Sequence, residues 1–342
     1  MQRMICALLL SFVAMLVIGP KVIPLLHKLN FGQTIYDLGP KTHKSKQGTP
    51  IMGGLMMAGV TLVTCLLLHP KGWYGEQDFM LMLLAVSLLS MLIGFADDYI
   101  KAVKKRHEGL TPWQKIAGQV LVAVGFTLWC YFHPMIGSKI WVPFANVEWD
   151  LGVWYIPLMS VVIIFMVNSA NLQDGLDGLL SSVASIGSAA WGIMALFFLT
   201  AVSALNNAEM NNNYYAVAIF ALAVAGSCMG FLRFNHYPAK IFMGDTGSMF
   251  IGGATVGMAM VLRQPLMLIL IAFTMICSSL SVMIQVTYFK ATHGKRIFKM
   301  SPIHHHFELC GYSETQIVSM YAVVTGILSL VAILSLNGLK LV

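Results

Sequence analysis

Ten long apolar runs dominate this sequence of 342 residues. A helix needs about 20 apolar residues to cross the hydrocarbon core of a bilayer. The chain is 58% hydrophobic and only 10% charged, which leaves too little polar surface for a soluble domain of this length. We therefore predict a single-domain, all-α integral membrane protein with about ten transmembrane helices over residues 1–342. The runs cover roughly residues 4–26, 51–70, 79–96, 116–134, 154–172, 179–202, 214–232, 247–262, 266–289 and 316–336.

The distribution of basic residues predicts the orientation of these spans. Most of the 21 lysines and arginines follow the odd-numbered runs, and loops rich in Lys and Arg stay in the cytoplasm. We therefore expect both termini to be extracytoplasmic, with the first run retained as a span because it has no small-residue cleavage site. The cytoplasmic set is Lys28, Lys41, Lys44, Lys46, Lys101, Lys104, Lys105, Arg106, Lys115, Arg233, Lys240, Lys290, Lys295, Arg296 and Lys299.

One extracytoplasmic connection has the pattern of a β-hairpin. Apolar and polar residues alternate over residues 138–151, as in half-buried strands. We predict a small hairpin there, acting as a packing element or lid without chemistry of its own.

Five aspartates lie at the ends of apolar runs, where an unpaired carboxylate is costly. Asp97 and Asp98 follow the third run, Asp174 and Asp177 follow the fifth, and Asp245 follows the seventh. All five are on the predicted cytoplasmic side. An ion pathway would scatter charges through the depth of the bilayer, so this one-sided cluster favours an active site that meets a soluble substrate.

The first acidic pair is followed by a lysine on the same helical face. Residues three or four apart are neighbours on a helix, which brings Lys101 next to Asp97 and Asp98. One acid could face a metal or a phosphate-bearing nucleophile while the other orients it. The alternative is a solvated helix end with a local ion pair.

A second polar series recurs every three residues. It consists of Asn168, Asn171, Asp174 and Asp177, interrupted by Gly175 and Gly178. The glycines favour a helix break at which backbone amides can approach a phosphate or a sugar. The alternative is a seam of hydrogen bonds between helices.

Two further clusters follow the seventh and ninth runs. Gly-Asp-Thr-Gly-Ser at 244–248 is typical of a helix start, capped by Asp245 or Ser248; Asp245 could equally hold Mg²⁺, a hard cation that prefers oxygen ligands. The run 301–308 contains His304, His305 and His306. These histidines suit contact with an anionic substrate or acid–base chemistry. The alternative is a solvent-exposed basic loop without a chemical role.

Together these segments resemble the polyprenyl-phosphate N-acetylhexosamine-1-phosphate transferases, and the resemblance covers nearly the whole chain. The motifs that carry it are Asp-Asp-x-x-Lys at 97–101, Asn-x-x-Asp-Gly-x-Asp-Gly at 171–178 and Met-Gly-Asp-Thr-Gly-Ser at 243–248. The three-histidine segment and Thr-Pro-Ile-Met-Gly-Gly at 49–54 indicate the branch that uses UDP-MurNAc-pentapeptide.

The resemblance implies a reaction. Undecaprenyl phosphate would attack the β-phosphate of UDP-MurNAc-pentapeptide, with Mg²⁺ as cofactor, to give lipid I and UMP in peptidoglycan synthesis. It also implies a location in the bilayer of the bacterial cytoplasmic membrane, an active site on the cytoplasmic face, a homodimer and no nucleic-acid partner.

The resemblance also assigns roles to residues. Asp97 and Asp98 would activate the nucleophile or associate with the metal, while Asp245 would bind Mg²⁺, with Asp174 and Asp177 in the nucleotide and metal region. His304 and His305 would lie over the sugar phosphate, and Asn171 and His306 would also contact substrate. Phosphate groups would meet Lys46, Thr49, Lys101 and Lys115. The uridine would lie near Gly175, Leu176, Asn235, Phe242 and Gln285.

Two alternatives to this reaction remain open at the level of sequence. A sister enzyme would move GlcNAc-1-phosphate onto the same lipid. A secondary transporter of an anionic substrate would need broken helices and charges at mid-bilayer, whereas the middles of these runs are apolar.

Overall fold

The chain is described by a computed structural model that covers residues 1–28, 48–70, 77–104, 109–145, 147–203 and 207–336. Within these ranges the protein is mainly helical, with one two-stranded sheet. The helices are α1 (Gln2–Lys28), α2 (Gly54–Leu68), α3 (Phe79–Lys104), α4 (Pro112–Phe132), α5 (Tyr155–Gln173), α6 (Leu179–Ser203), α7 (Ala208–Asn235), α8 (Gly244–Val261), α9 (Leu268–Ile271), α10 (Phe273–Ala291), α11 (Ile303–Leu309) and α12 (Glu314–Leu334). The strands are β1 (Lys139–Val142) and β2 (Val147–Asp150).

The prediction of a helical membrane protein is confirmed. Among the described residues, seven helices are long and apolar enough to span a membrane, or eight if α9 and α10 together with the preceding turn form one broken span. The second and eighth runs are also helical, but α2 has only 15 residues and α8 is buried along nearly its whole length. Ten helical runs are therefore present, although not all of them have the length and exposure of an independent span.

The ninth run is not the straight span that we expected over residues 266–289. A short 3₁₀ turn at Pro265–Met267 leads into α9, and the chain then bends by 87° into α10. The bend lies at Ala272, between two apolar stretches. Since no proline or glycine marks the position, the local sequence carries no signal for the break.

The core of the bundle lies around α7 and α8. In α7, 78% of the most apolar window is buried, compared with 22% in α1 at the periphery. Helix α7 packs against α1 and α6, and α8 packs against α3 and α5. This arrangement holds the start of α8 between the ends of α3 and α5, where the acidic motifs lie.

The predicted hairpin is confirmed at one end of the bundle. Strands β1 and β2 are antiparallel, with Lys139 opposite Asp150 and Val142 opposite Val147. The hairpin is tied to the turn after α8, because the Trp141 amide donates to the Arg263 carbonyl at 2.9 Å. It lies at the opposite end of α4 from Thr111, which caps the start of that helix.

Candidate active site

The carboxylate of Asp98 caps the N-terminus of α8 from a neighbouring helix. Its Oδ1 accepts from the Asp245 amide at 3.2 Å, and its Oδ2 accepts from the Thr246 amide at 2.9 Å and from the Thr246 hydroxyl at 2.7 Å. Gly244 has a φ of +71°, and a Cβ there would collide with Asp98. A negative charge at this position also complements the positive end of the helix dipole.

The prediction that Asp245 or Ser248 caps α8 is therefore wrong. Met243 occupies the N-cap position and makes no capping hydrogen bond through its side chain. Two amides of the first turn, those of Asp245 and Thr246, donate instead to Asp98 of α3, which lies 147 and 148 residues away in sequence. Asp245 is thereby left with its side chain available for other partners.

Asp245 is the hub of the site. Its Oδ1 accepts from Nδ2 of Asn171 at 2.8 Å, while its Oδ2 accepts from Lys115 at 2.8 Å and from Lys101 at 3.2 Å. The Asn171 amide also donates to Ser248 at 2.9 Å. Side chains from α3, α4, α5 and α8 thus meet on one carboxylate.

Asp97 lies beside Asp245 and shares Lys101 with it. Its Oδ2 is 2.5 Å from Nζ of Lys101, four residues along α3, as the spacing predicts. Its Oδ1 accepts from the Leu110 amide at 2.8 Å, which fixes the start of the segment that leads into α4. Both lysines of the cluster are partly accessible, so they can exchange these carboxylates for an arriving anion.

The three acids can place oxygens around one small volume. Asp97, Asp98 and Asp245 each offer a carboxylate oxygen, and these three oxygens lie within 4.8 Å of one another. Three carboxylates exceed the charge of two ammonium groups by one, and an all-oxygen donor set suits a hard cation such as Mg²⁺. Asp97 and Asp245 are better placed to be direct ligands, because Asp98 is already engaged by α8. The residues therefore fit the predicted metal.

Asp174 lies next to this group but is not part of it. It terminates α5, and its amide bonds back to Asn171, which confirms the predicted helix break. Burial, and to a smaller extent the charges of Asp245, Asp98 and Asp177, raise the pKa of Asp174 to about 8. A carboxyl with a raised pKa beside other acids is typical of a functional site.

Asp177 and Asn235 serve the connection between α7 and α8. Oδ2 of Asp177 accepts from the Ala239 amide at 2.9 Å. The Asn235 side chain accepts from the Ser181 hydroxyl at 2.8 Å and donates to the Ile241 carbonyl at 3.0 Å. The side chains of Asp177 and Asn235 therefore bind the α7–α8 connection and, through Ser181, helix α6. Asp177 does not belong to the group formed by Asp97, Asp98 and Asp245.

The segment before α2 is fastened to the residues before α8. The Gly53 amide donates to the Phe242 carbonyl, and the Phe242 amide donates to the Pro50 carbonyl, both at 2.9 Å. Thr49 is adjacent to this pairing and half-buried. Lys46, the other predicted phosphate contact of this segment, lies outside the described residues.

The three histidines lie on α11 and have different surroundings. His304 is fully buried, and its Nε2 lies so close to Gly175 that a Cβ there would collide with it. Nδ1 of His305 is 2.6 Å from Glu308, and Nδ1 of His306 accepts from the Lys299 amide at 3.1 Å. His304 therefore joins α11 to the α5–α6 break, where Leu176 is also buried, and His305 is oriented by a carboxylate.

Gln285 holds the chain that leads to the histidines. Its Oε1 accepts from the amides of Ile297 and Phe298, and its Nε2 donates to the Phe298 carbonyl. All of these bonds join Gln285 to the backbone of the same chain, so the structure gives this side chain a positioning role. The uridine contact that the resemblance implies for Gln285 stays a prediction.

An apolar groove of about 340 Å³ lies between α5 and α10, just beyond Asn171. Asn168 lines it and forms a two-way amide pair with Gln119 of α4, at 2.9 and 3.3 Å. The remaining lining is almost wholly apolar: Val161, Ile164, Phe165, Leu172, Ser279, Val282 and Met283. A chain-like apolar ligand could thus approach the end of α5.

Three residues of the site were not singled out from the sequence. Glu308 follows His305 by three residues, a spacing that brings side chains together on a helix and could have revealed it. Thr246 and Leu110 carried no such signal, because their bonds to Asp98 and Asp97 join distant parts of the chain.

Comparison with known proteins reveals extensive similarity. The family model described as "Glycosyl transferase family 4" matches residues 80–263. A phospho-N-acetylmuramoyl-pentapeptide-transferase of Clostridium perfringens (strain 13 / Type A) is 41% identical over 335 residues, which cover 98% of this chain and 99% of that protein. The protein of the same name from Clostridium novyi (strain NT) is 41% identical over 344 residues and covers 100% of both chains.

Proposed function

This chain belongs to glycosyl transferase family 4 and, within it, to the phospho-N-acetylmuramoyl-pentapeptide-transferases, and we propose that it makes lipid I for peptidoglycan synthesis. It transfers phospho-MurNAc-pentapeptide from UDP-MurNAc-pentapeptide to undecaprenyl phosphate and releases UMP. The observation that carries this function is the similarity over the full length of the chain. The cluster of carboxylates and lysines at one end of the bundle supports phosphate chemistry.

The transfer is a substitution at phosphorus. An oxygen of the lipid phosphate forms a bond to the β-phosphorus of the nucleotide sugar. The bond from that phosphorus to the bridging oxygen breaks, and the electron pair leaves with UMP. Both partners are anionic, so the main task of the site is to bring phosphates together against their repulsion and hold them in line.

Lys101 and Lys115 supply the positive charge for this task. Both contact Asp245 in the structure, and both are partly exposed. An arriving diphosphate can replace the carboxylate as their partner, which keeps the lysines charged and aimed at the site throughout the cycle.

Asp97 is the better candidate of the two adjacent acids for contact with the lipid phosphate. Asp98 is engaged by three donors of α8, whereas Asp97 is held by the mobile ammonium of Lys101 and by one amide. The second pKa of a phosphate monoester is near 6, so little proton removal is needed at neutral pH. We therefore favour direct attack, with Asp97 orienting the lipid phosphate, over a covalent enzyme intermediate.

We propose Mg²⁺ as the cofactor, held by Asp245 and Asp97. When bound, it would screen the diphosphate charge and help to align the reacting groups. Asn171 and Ser248 would keep Asp245 in position. Asp174 would remain at the edge of the metal and nucleotide region, and Asp177 would stabilise the neighbouring segment.

The remaining substrate contacts are proposed from the family resemblance. We assign the sugar phosphate to His305, whose neighbour His304 is buried against Gly175, and the uridine to the surroundings of Gly175, Leu176, Asn235 and Phe242. The groove between α5 and α10 is suited to the first part of the undecaprenyl chain, because it is apolar and ends near Asn168.

We further propose that the protein lies in the bacterial cytoplasmic membrane with this site on the cytoplasmic face. The support is the concentration of Lys and Arg in the loops at the same end as the acidic cluster. Ten crossings, counting α2, α8 and the bent α9–α10 pair, would place both termini outside. A homodimer is expected from the family resemblance.

Release of UMP tests the function directly. The purified protein in detergent or lipid is supplied with undecaprenyl phosphate, Mg²⁺ and either UDP-MurNAc-pentapeptide or UDP-GlcNAc. We expect UMP and lipid I only with the first sugar. UMP formed only with UDP-GlcNAc would establish the sister reaction, and uptake into sealed vesicles without UMP would establish a transporter.

A further inference from the structure

Helix α4 carries an exposed apolar stripe with an aromatic residue at each end. Trp113, Leu121 and Phe132 are 81%, 76% and 75% exposed, and their spacings place them within an arc of about 100° around the helix. From Trp113 to Phe132 the helix rises about 29 Å at 1.5 Å per residue. The hydrocarbon core is about 30 Å thick, so the two aromatic rings bracket the membrane.

Helix α5 repeats this pattern at the end where α4 finishes. Trp154 precedes its first turn and shares a face with Leu158 and Val161, and all three are exposed. This face continues into the membrane-facing side of α5. Trp154 and Phe132 therefore mark the same boundary from two neighbouring helices.

The hairpin connects these two ends and runs across the bundle. Its base is closed by the Leu151 amide, which donates to the Ser138 carbonyl. Its side is pinned by Arg263, which donates to Glu148 at 2.6 Å and to the Lys139 carbonyl at 3.2 Å. Since Arg263 belongs to the turn after α8, the hairpin lies along the end of the bundle and does not project away from it.

The outer strand of the hairpin has one polar and one apolar side. Glu148 and Asp150 are already bound within the chain, to Arg263 and to the Ser138 hydroxyl. Val147 and Trp149 alternate with them and are 52% and 55% exposed. Ile140, opposite Trp149 on the same side of the hairpin, is buried, so the exposed parts of Val147 and Trp149 are the portion of this side available for contact.

We propose that Trp149 and Trp154 form an aromatic edge that is inserted in the headgroup layer of the bilayer, on the side opposite the catalytic cluster. The occupant of this surface is lipid, because the edge is continuous with the lipid-facing stripes of α4 and α5 at the level where both helices end. Amphipathic Trp rings are favoured at this depth. The hairpin is thus a membrane-surface anchor that sets the depth of the bundle.

Fluorescence quenching tests the proposal on the full-length protein in vesicles. The emission contributed by each ring is obtained by comparing the unsubstituted protein with Trp149→Phe and Trp154→Phe. Quenchers are spin labels on the lipid headgroup, spin labels deep in the acyl chain, and iodide on both sides of the membrane. We expect each contribution to fall about twofold or more with the headgroup label and to change much less with either other quencher.

Two outcomes would overturn the proposal. Stronger quenching by iodide than by the headgroup label would mean that the edge is in water. Emission that none of the three quenchers reduces, but that they do reduce once the protein is diluted below one chain per vesicle, would mean that a second copy of the protein covers the aromatic edge. The emission that remains in the double variant, which includes buried Trp191, is the internal control. Circular dichroism and UMP release verify that each variant is folded.

Discussion

Adjacent acids on α3 have unlike surroundings. Successive residues on a helix point about 100° apart, so Asp98 faces α8 while Asp97 faces Lys101 and the Leu110 amide. The first is bound by donors that are part of the fold, and the second by a flexible side chain. The difference separates a residue that holds the site together from one that can exchange partners during the reaction.

Substitution of the two acids should separate stability from activity. We expect Asp98→Ala to lower the free energy of unfolding by about 1–2 kcal/mol, the usual cost of losing a helix cap. We expect Asp97→Asn to leave stability nearly unchanged but to reduce UMP release by about 10² or more. Thermal unfolding and UMP assays on both variants provide the measurement. Equal loss of stability in the two variants would contradict the assignment.

Asp245 should control the requirement for Mg²⁺. Even residues that only orient a metal ligand contribute about 10–100-fold to metal affinity. We therefore expect Asp245→Asn to raise the Mg²⁺ concentration for half-maximal UMP release at least about tenfold. Asp150→Asn, at the other end of the bundle, is the control. An unchanged Mg²⁺ titration in Asp245→Asn would remove the residue from the metal site.

Direct attack and a covalent intermediate differ in one observable. Without undecaprenyl phosphate, direct attack leaves the protein unmodified after incubation with UDP-MurNAc-pentapeptide and Mg²⁺. We expect mass spectrometry to find no phospho-sugar adduct under these conditions. An adduct on Asp97 or Asp98 would replace direct attack with a two-step mechanism.

At the scale of elements, α10 binds the segment that leads to α11 through Gln285, and it binds the start of α11 through Ser281, whose hydroxyl accepts from the Ile303 amide at 3.0 Å. Gln285 binds both the Ile297 and Phe298 amides and the Phe298 carbonyl. The intervening residues carry exposed Lys290, Lys295 and Arg296. The position of α11, which carries the three histidines, therefore depends in part on Gln285 of α10.

Loss of this side chain should loosen the segment. Gln285 makes three hydrogen bonds to the segment, and a net contribution of about 1 kcal/mol for each means that Gln285→Ala should increase the open fraction of the segment by about 10²-fold. We expect trypsin to cleave after Lys290, Lys295 or Arg296 correspondingly faster. Thr287→Ala, on the exposed side of the same helix, should cleave like the unsubstituted protein. Equal rates in all three proteins would show that the bonds of Gln285 do not restrain the segment.

At the scale of the molecule, the two ends of the helical bundle carry different features. Asp78, just before α3, and Asp97, near its end, are separated by a rise of about 29 Å. The acidic cluster lies at one end, and the hairpin lies at the other. This polarity is what a transferase between a soluble nucleotide sugar and a membrane lipid requires.

Membrane-impermeant maleimide should distinguish the two ends. Cys310 is exposed beside the histidine helix, and Ala145 is exposed in the hairpin turn. In intact bacterial cells we expect Ala145→Cys, in a Cys310→Ser background, to be labelled, and we expect Cys310 to be labelled only after permeabilisation. The reverse pattern would invert the proposed orientation.

Much of this arrangement could be predicted from the sequence, because it depends on local patterns. Run lengths gave the helices, alternation gave the hairpin, and the position of acids after odd-numbered runs indicated one shared face. The cap on α8 could not be predicted, since Asp98 and Thr246 meet only in the folded chain. The bend at Ala272 also could not, because both sides of it are equally apolar.

The capping of α8 has a consequence for how anions are recognised. The free amides at the beginning of a helix are a common cradle for phosphate, yet here the amides of Asp245 and Thr246 already donate to a protein carboxylate. These two amides are therefore not free to bind a diphosphate, and under the proposed function the side-chain ammonium groups of Lys101 and Lys115 would carry more of its recognition. Recognition of that kind is sensitive to ionic strength, so the affinity of the site for an anionic substrate should fall as the salt concentration around it rises.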